Sequence, residues 1–249
     1  MKIKMKLLLS FLVLFIALPG FSAETPGVVQ LNSCNLAEGK TGKDVDNAIT
    51  FWQEQMATLG GGDYFGAILT PVISSLPADF IWLGATPNMN AWASGGAAYA
   101  ASKEGQAANA RLAKVGSCSA SLNYSTQVYM GMPANPDDSN GFIEGYGCTL
   151  KDGKTGANVR ALEENYTAAV KELGVPMNVF RFNPIVSNGE IDLIYLAVHD
   201  DRAAFGANTT AIGTNPTALA AFQNFAQVMD CGSSLFSSRI IHRPTPAAE

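Results

Sequence analysis

The sequence predicts an α+β protein built from two tandem copies of one βαββαβ unit. The first observation is an internal repeat, in which Cys34 and the motif Gly39-Lys40-Thr41-Gly42 return as Cys148 and Gly153-Lys154-Thr155-Gly156, 114 residues later. The second is that both copies run through the same order of strand-like and helix-like patterns. After a one-residue loop difference the copies stay aligned at an offset of 113, as in Pro71/Pro184, Asp79/Asp192 and Cys118/Cys231. A repeat of this length indicates one folding unit used twice.

The N-terminus predicts a cleaved secretory signal at residues 1–23. Three lysines precede an apolar run from Leu7 to Pro19, and Ala23 is a small residue of the kind that signal peptidase favours. Because the run is shorter than the roughly 20 apolar residues that span a bilayer, we expect no membrane association after cleavage. The mature protein is then exported, to the periplasm or the extracellular space. We expect a first repeat at 24–132, a linker at 133–140, a second repeat at 141–243 and a short tail at 244–249.

The charge of the mature chain argues against nucleic-acid binding. Removing residues 1–23 takes away three lysines and no acidic residue, so the formal net charge falls from −5 to −8. The remaining Arg and Lys residues are scattered singly along the chain. An acidic protein without a basic patch has no electrostatic attraction for DNA or for an anionic membrane surface.

Each copy begins with a strand and a helix. Residues 28–33 and 142–147 predict the strands, and apolar residues at helical spacing follow in both copies. The predicted N-caps are threonines and the predicted C-termini are marked by glycines, namely Thr41 and Gly60 in the first copy and Thr155 and Gly174 in the second. The repeated Gly-Lys-Thr-Gly is therefore interpreted as a loop and cap. A phosphate-binding P-loop would need glycine where Cys34 and Cys148 stand.

The rest of each copy predicts two strands, an Ala-rich helical stretch and a closing strand. The strands are expected at 64–74 and 79–85, the helical stretch at 89–116 and the closing strand at 119–130. In the second copy the corresponding ranges are 177–187, 191–198, 202–229 and 232–242. Gly95-Gly96 in one copy and residues 208–216 in the other predict that the helical stretch is interrupted.

This βαββαβ order is the split βαβ pattern and resembles the ferredoxin-like fold. Two such units in one chain resemble the dimeric α+β barrel superfamily, whose members form a barrel from two sheets. The resemblance covers nearly the whole mature chain, rests on topology and repetition, and identifies no specific family. It implies two ferredoxin-like units packed as an intramolecular α+β barrel. It leaves the number of chains open, since two fused units can already cover one another's sheets.

The resemblance also implies a disulfide pairing. Four cysteines in an exported chain can form two disulfide bridges, in one of three alternative pairings. In a ferredoxin-like unit the end of the first strand lies beside the start of the fourth, which are the predicted places of the cysteines in each copy. The implied bridges are Cys34–Cys118 and Cys148–Cys231. No CxxC motif and no histidine near these cysteines indicates a metal site, and none is predicted.

Strand alternation gives the candidate site. Residues 79, 81, 83 and 85, with 192, 194, 196 and 198, form an aliphatic face that we expect against the helices. The opposite face would then point into the barrel, where such folds usually place a ligand. It gathers side chains that could orient a polar ligand or transfer protons, namely Asn32 and Trp82 in the first copy and Glu144, Tyr146, Arg181, Tyr195 and His199 in the second. Tyr195, His199 and Arg181 are the catalytic candidates. The alternative is that these side chains only fill the interior.

Three functions remain open from the sequence. One is an exported protein that binds a small molecule inside the barrel; a second is a cofactor-independent monooxygenase or isomerase, which the resemblance allows; a third is a structural or interaction protein with a filled barrel. Haem enzymes of the superfamily carry their axial histidine on a helix. Because neither predicted helix contains a histidine, no cofactor is expected.

Overall fold

The computed structural model describes residues 26–132, 140–187 and 189–244. The predicted signal segment, nearly all of the predicted linker and most of the predicted tail lie outside these ranges. Within them, no helix combines the length and the apolar character needed to cross a membrane.

Both repeats have the predicted order of elements, with the second helix divided in two. The first repeat contains β1 (Gly27–Leu36), α1 (Gly42–Thr58), β2 (Phe65–Ile73), β3 (Phe80–Thr86), α2 (Met89–Ala101), α3 (Lys103–Leu112) and β4 (Gly116–Met130). The second contains β5 (Asn140–Leu150), α4 (Gly156–Glu172), β6 (Asn178–Val186), β7 (Leu193–His199), α5 (Arg202–Thr214), α6 (Pro216–Gln223), a short 3-10 helix (Asn224–Gln227) and β8 (Met229–His242).

The eight strands close into one antiparallel barrel. Their order is β1-β3-β2-β8-β5-β7-β6-β4, and β4 pairs with β1 to complete the circle. Each repeat supplies four neighbouring strands, and the repeats meet where β2 pairs with β8 and β4 pairs with β6. The predicted intramolecular α+β barrel is therefore confirmed.

Local sequence explains where the first helix of each repeat begins. The backbone N–H and the hydroxyl of Thr41 both donate to the Asp44 carboxylate at 3.0 Å. These hydrogen bonds hold the pKa of Asp44 below its usual range. In the second repeat the N–H of Thr155 donates to the side-chain oxygen of Asn158 at 3.0 Å. Both threonine caps are confirmed, because each offers an N–H that the third helical residue satisfies.

The Ala-rich stretch is interrupted in both repeats, but not at Gly95-Gly96 as predicted. Those glycines lie within α2, and the break falls at Ser102. The Ser102 hydroxyl accepts from the N–H of Gly105 at 2.9 Å, so this side chain starts a new helix. Asn215 does the same before α6 by accepting from the N–H of Ala218 at 3.0 Å. A capping side chain, rather than glycine flexibility, sets the position of the break.

The disulfide pairing is also confirmed. Cys34 lies directly opposite Cys118 across β1 and β4, and Cys148 lies directly opposite Cys231 across β5 and β8. Each bridge stays within one repeat and closes a loop of 84 or 83 residues. In the chain-entropy model each loop contributes about 4 kcal/mol to the free energy of unfolding.

The core has three layers, and the predicted assignment of the sheet faces is wrong. Ile81, Leu83 and Leu196 pack inside the barrel with side chains from both repeats, among them Phe236. Trp82 lies on the outer face under the helices of the first repeat, together with Phe80, Val45, Ile49 and Trp52. Tyr195 lies on the outer face under the helices of the second repeat, together with Leu193, Val159, Val170 and Phe225. A closed barrel must fill its interior with apolar side chains from both sheets, and the aliphatic faces serve this purpose.

Candidate functional site

The candidate residues lie outside the barrel, between the sheet and the helices, and in two separate places. Asn32 and Trp82 are in the first repeat. The other predicted site residues, Glu144, Tyr146, Arg181, Tyr195 and His199, are in the second. The structure therefore divides the candidate set between the two halves of the molecule.

In the second repeat, Arg181 and Tyr195 both bind Glu163, a residue that was not predicted from the sequence. Glu163 of α4 forms an ion pair with the Arg181 guanidinium and accepts from the Tyr195 hydroxyl at 2.7 Å. Arg181 also donates to Asn183 at 3.0 Å. Burial, followed by the hydrogen bond to Glu163, raises the pKa of Tyr195. A carboxylate on the buried stripe of α4, between Val159 and Val170, was the available sequence signal for Glu163.

His199 is buried away from this cluster. Its Nδ1 lies 3.0 Å from the side-chain nitrogen of Asn208, which also donates to the carbonyl of Pro176. Nδ1 is therefore the acceptor, and the hydrogen is on Nε2. That nitrogen has no hydrogen-bond partner in the described chain. The ring of Phe205 meets the imidazole edge-on at 5.4 Å between centroids. Burial lowers the pKa of His199 to about 4, so the imidazole is neutral.

Aromatic rings pack against one another in the second repeat. Phe222 packs against Tyr146 and Tyr166, and Phe225 packs against Tyr166 and Tyr195, with centroid distances of 5.9–6.3 Å. Burial, followed by the charge of the nearby Glu144 carboxyl, raises the pKa of Tyr146. Burial raises the pKa of Glu144. These contacts account for the second-repeat residues as packing and mutual hydrogen bonding.

The corresponding space in the first repeat is open. A cavity of about 990 Å³ lies between α1, α2 and α3 on one side and the outer face of β1 and β3 on the other. Its walls include Gln30 and Asn32 of β1 and an aromatic set drawn from several elements. The aromatic members are Trp52, Tyr64, Phe80, Trp82, Trp92 and Tyr99.

Smaller side chains explain why the cavity is in this repeat. At four equivalent positions the first repeat has the smaller residue and the second the larger one, namely Asn32/Tyr146, Gly95/Asn208, Asn109/Phe222 and Leu112/Phe225, although Trp52, Trp82 and Trp92 are larger than their counterparts Tyr166, Tyr195 and Phe205. The rings of Phe222 and Phe225 occupy the second repeat, whereas Asn109 and Leu112 leave that volume free. The two halves have thus diverged within one framework.

Polar groups in the cavity are arranged in pairs. The Trp92 indole donates to Gln30 at 3.0 Å, and the Gln30 amide donates to Asn32 at 2.9 Å. The Tyr99 hydroxyl donates to Asn109 at 3.1 Å. The Trp82 indole donates to the Tyr64 hydroxyl at 2.8 Å. The hydrogen-bonding groups around the space are mostly neutral amides, indoles and phenols.

Helix α2 covers the cavity and contacts the core of the first repeat through the half-buried Tyr99. It has no buried residue, and Ala91, Ser94, Gly95, Gly96 and Ala98 present small side chains to the space below. The hydrogen bond from Trp92 to Gln30 ties the helix to the sheet. A small-residue helix that lies over an open volume leaves room for a ligand against the sheet.

The cavity does not fit haem, the cofactor of some enzymes of this superfamily. No histidine lines it in the described part of the chain, and Cys34 and Cys118 are in a disulfide. Burial raises the pKa of Tyr64 to about 12, so this phenol is protonated rather than an anionic iron ligand. Met56 also lines the cavity, but a methionine that binds haem iron usually does so together with a histidine.

The structure is similar to several solved structures at low sequence identity. A candidate monooxygenase from Fusobacterium nucleatum matches with a TM-score of 0.62 and 6% identity, covering 90% of this chain and 97% of that one. A candidate monooxygenase from Lactobacillus acidophilus matches with a TM-score of 0.57 and 10% identity over 90% and 98% of the two chains. An anthrone oxidase-like protein matches with a TM-score of 0.53 and 13% identity over 91% and 98%.

No protein-family model matches the sequence, and no curated protein matches it. At identities this low the structural matches establish the fold alone. Together with the closed barrel and the two βαββαβ repeats, they show that the chain has the dimeric α+β barrel fold, with both halves in one polypeptide.

Proposed function

We propose that this protein binds a small, uncharged molecule with an aromatic ring system in the cavity of the first repeat. The observation that carries the proposal is the difference between the halves: the rings of Phe222 and Phe225 pack on the tyrosines of one, and a volume of about 990 Å³ lies under the helices of the other. Ligand pockets of roughly 300–1,000 Å³ with apolar and aromatic walls and a few polar groups are typical of small-molecule sites.

The wall chemistry supports a flat, neutral ligand. Trp52 and Trp82 both line the cavity and meet edge-on at 4.9 Å between centroids. An aromatic ligand can stack on such rings or meet them edge-on. Among the described wall residues the only charged side chain is Asp63, and no lysine or arginine is present to neutralise an anionic ligand. An uncharged molecule avoids the cost of burying an unpaired charge.

Catalysis on such a molecule is the second candidate, and the similar structures named as monooxygenases and as an anthrone oxidase-like protein favour it. The residues first assigned to that role support it less well. Arg181 and Tyr195 are engaged by Glu163, and His199 is in the other half of the molecule from the cavity. An oxygenase or isomerase would therefore have to use the first-repeat wall, where Asn32 and Trp82 lie.

The proposed setting is outside the cytoplasm. Two structural disulfides are typical of proteins from oxidising compartments, and the N-terminal 23 residues have the pattern of an export signal. A mature N-terminus at Glu24 in protein recovered from the exported fraction tests this part of the proposal. An uncleaved N-terminus in cytosolic protein contradicts it.

Tryptophan fluorescence tests the site directly, because all three tryptophans of the chain line the cavity. We expect fluorene or 9-fluorenone, as neutral aromatic probes, to quench the emission in a saturable way. Asn109→Phe with Leu112→Phe places the rings of the second repeat into the cavity, and we expect it to weaken binding at least ten-fold.

The matched control is Ala110→Phe, which adds a ring to an exposed position of the same helix that does not line the cavity. This control should bind as the wild type does. Saturable binding that survives Asn109→Phe with Leu112→Phe, or no saturable quenching by either probe, contradicts the proposed function.

A further inference from the structure

Tyr64 lines the cavity and has a hydroxyl hydrogen that its hydrogen-bond partner does not use. The Trp82 indole N–H donates to the Tyr64 hydroxyl oxygen at 2.8 Å. A phenol both accepts and donates, and an indole N–H only donates. The contact with Trp82 therefore uses a lone pair of the Tyr64 oxygen and leaves its hydrogen for another acceptor.

Gly84 allows the Tyr64 hydroxyl to lie over the sheet. A Cβ atom at Gly84 would lie 2.3 Å from the Tyr64 hydroxyl oxygen and 2.9 Å from the ring, so only glycine allows the phenol to lie across β3 at this point. Glycine in a strand interior has a conformational cost of roughly 0.5–1 kcal/mol relative to alanine. The second repeat has Ala197 at the position of Gly84 and Met177 at that of Tyr64. The phenol and its glycine thus occur together, in the repeat that keeps the cavity.

The surroundings hold the phenol in one orientation and in its protonated form. The Tyr64 ring packs on Trp52 at 5.9 Å and on His242 at 6.1 Å between centroids. Burial raises the pKa of Tyr64 to about 12. The group is a neutral donor throughout the physiological range, and it does not act as a base there.

The other phenol of the cavity is different. The Tyr99 hydroxyl donates its hydrogen to Asn109 at 3.1 Å. Its one hydrogen is therefore already engaged by the protein. Tyr99 is therefore a natural control for Tyr64.

We propose that the Tyr64 hydroxyl donates a hydrogen bond to an acceptor oxygen of the bound molecule, so that the site selects aromatic carbonyl compounds over hydrocarbons of the same shape. The proposal rests on the proposed function and specifies its ligand class. Tyr64 is a specificity-determining residue in this account.

The test uses 9-fluorenone and fluorene, which share a ring system and differ in one carbonyl oxygen. A hydrogen bond to a neutral acceptor contributes about 0.5–1.5 kcal/mol, so we expect wild-type protein to bind fluorenone about three- to ten-fold more tightly than fluorene. In Tyr64→Phe the two affinities should agree within about two-fold. In Tyr99→Phe the preference for fluorenone should persist.

A second variant guards against loss of folding, since Tyr64→Phe leaves the Trp82 N–H without its acceptor. Gly84→Ala keeps the phenol but displaces its hydroxyl, and we expect it to remove the preference as well. Equal affinities in wild-type protein, or a preference that survives in either folded variant, overturn the inference. If the quenching by fluorene is still abolished by Asn109→Phe with Leu112→Phe, the proposed function stands without it. Absence of saturable quenching by both probes overturns the two together.

Discussion

At the scale of single residues, the two repeats have different kinds of side chain at equivalent buried positions. Glu163, Arg181 and Tyr195 in the second repeat occupy the positions of Ile49, Ile68 and Trp82 in the first. One set is a buried ion pair with a phenol, and the other is apolar and aromatic. The chain therefore carries its own apolar replacement for the ion pair.

This correspondence predicts the outcome of a double-mutant cycle, measured in a Tyr195→Phe background so that no phenol loses its acceptor. Glu163→Ile alone leaves the Arg181 charge buried and unpaired and should lower the free energy of unfolding by about 3–5 kcal/mol. Glu163→Ile with Arg181→Ile copies the first repeat and should restore stability to within about 1 kcal/mol of the background. Urea unfolding measures both. A double variant as unstable as the single one contradicts the prediction.

His199 predicts a specific dependence of stability on pH. Its pKa is lowered from 6.5 to about 4 in the folded protein, so the unfolded chain binds more protons between these values. The free energy of unfolding should fall as the pH decreases through this interval, with the contribution fully present above about 6.5. His199→Gln keeps an acceptor for Asn208 but does not titrate. The difference between wild type and variant isolates the effect from Asp44 and Glu144, and a difference that does not change with pH contradicts the assignment.

At the scale of elements, α2 is the least anchored helix of the first repeat. It has no buried residue, whereas Ala48, Ile49 and Trp52 of α1 lie in the core. Local opening costs least where few apolar contacts hold an element. The hydrogen bond from Trp92 to Gln30 should therefore contribute much of what holds α2 on the sheet.

Trp92→Phe tests this, because Phe205 is the natural residue at the equivalent position of the second repeat. The variant keeps an aromatic ring and removes the indole donor. We expect backbone amides of 89–101 to exchange faster with deuterium by several-fold, while those of α1 keep their wild-type rates. Unchanged exchange in α2 would show that the hydrogen bond is not what anchors the helix.

The elements themselves were largely predictable from the sequence, and the direction of their faces was not. Alternation in β3 separates Ile81 and Leu83 from Phe80 and Trp82, but it does not say which set lies inside the barrel. Both sets are apolar enough to be buried, and only the closure of the sheet decides between them. Capping threonines and cross-strand cysteines were easier to predict, because they act through contacts within a single repeat.

The cavity could have been predicted from the sequence by comparing aligned residues of the two repeats. Asn109 against Phe222 and Leu112 against Phe225 are losses of side-chain volume at aligned helical positions. The polar residues Glu144, Arg181 and His199 instead favoured a site in the second repeat. Their hydrogen-bond partners, Glu163 and Asn208, come from helices whose position over the sheet depends on the folded structure.

At the scale of the whole molecule, the two halves share one core inside the barrel and differ in the layer outside the sheet. The barrel interior is shared, since Leu69 and Phe236 from opposite repeats belong to one core cluster. Each half adds its own layer of helices outside the sheet, and each has its own disulfide. Because the common core lies inside the barrel, the first repeat can keep an open volume outside the sheet without loss of that core.

The central claim is that the ligand site lies outside the barrel, under the helices of the first repeat. A crystal structure of the protein with 9-fluorenone tests it most directly. We expect ligand density between α2 and the outer face of β1 and β3, with the ketone oxygen in hydrogen-bonding distance of the Tyr64 hydroxyl. Density inside the barrel beside Leu69 and Phe236, or beneath α5 and α6 of the second repeat, would contradict it.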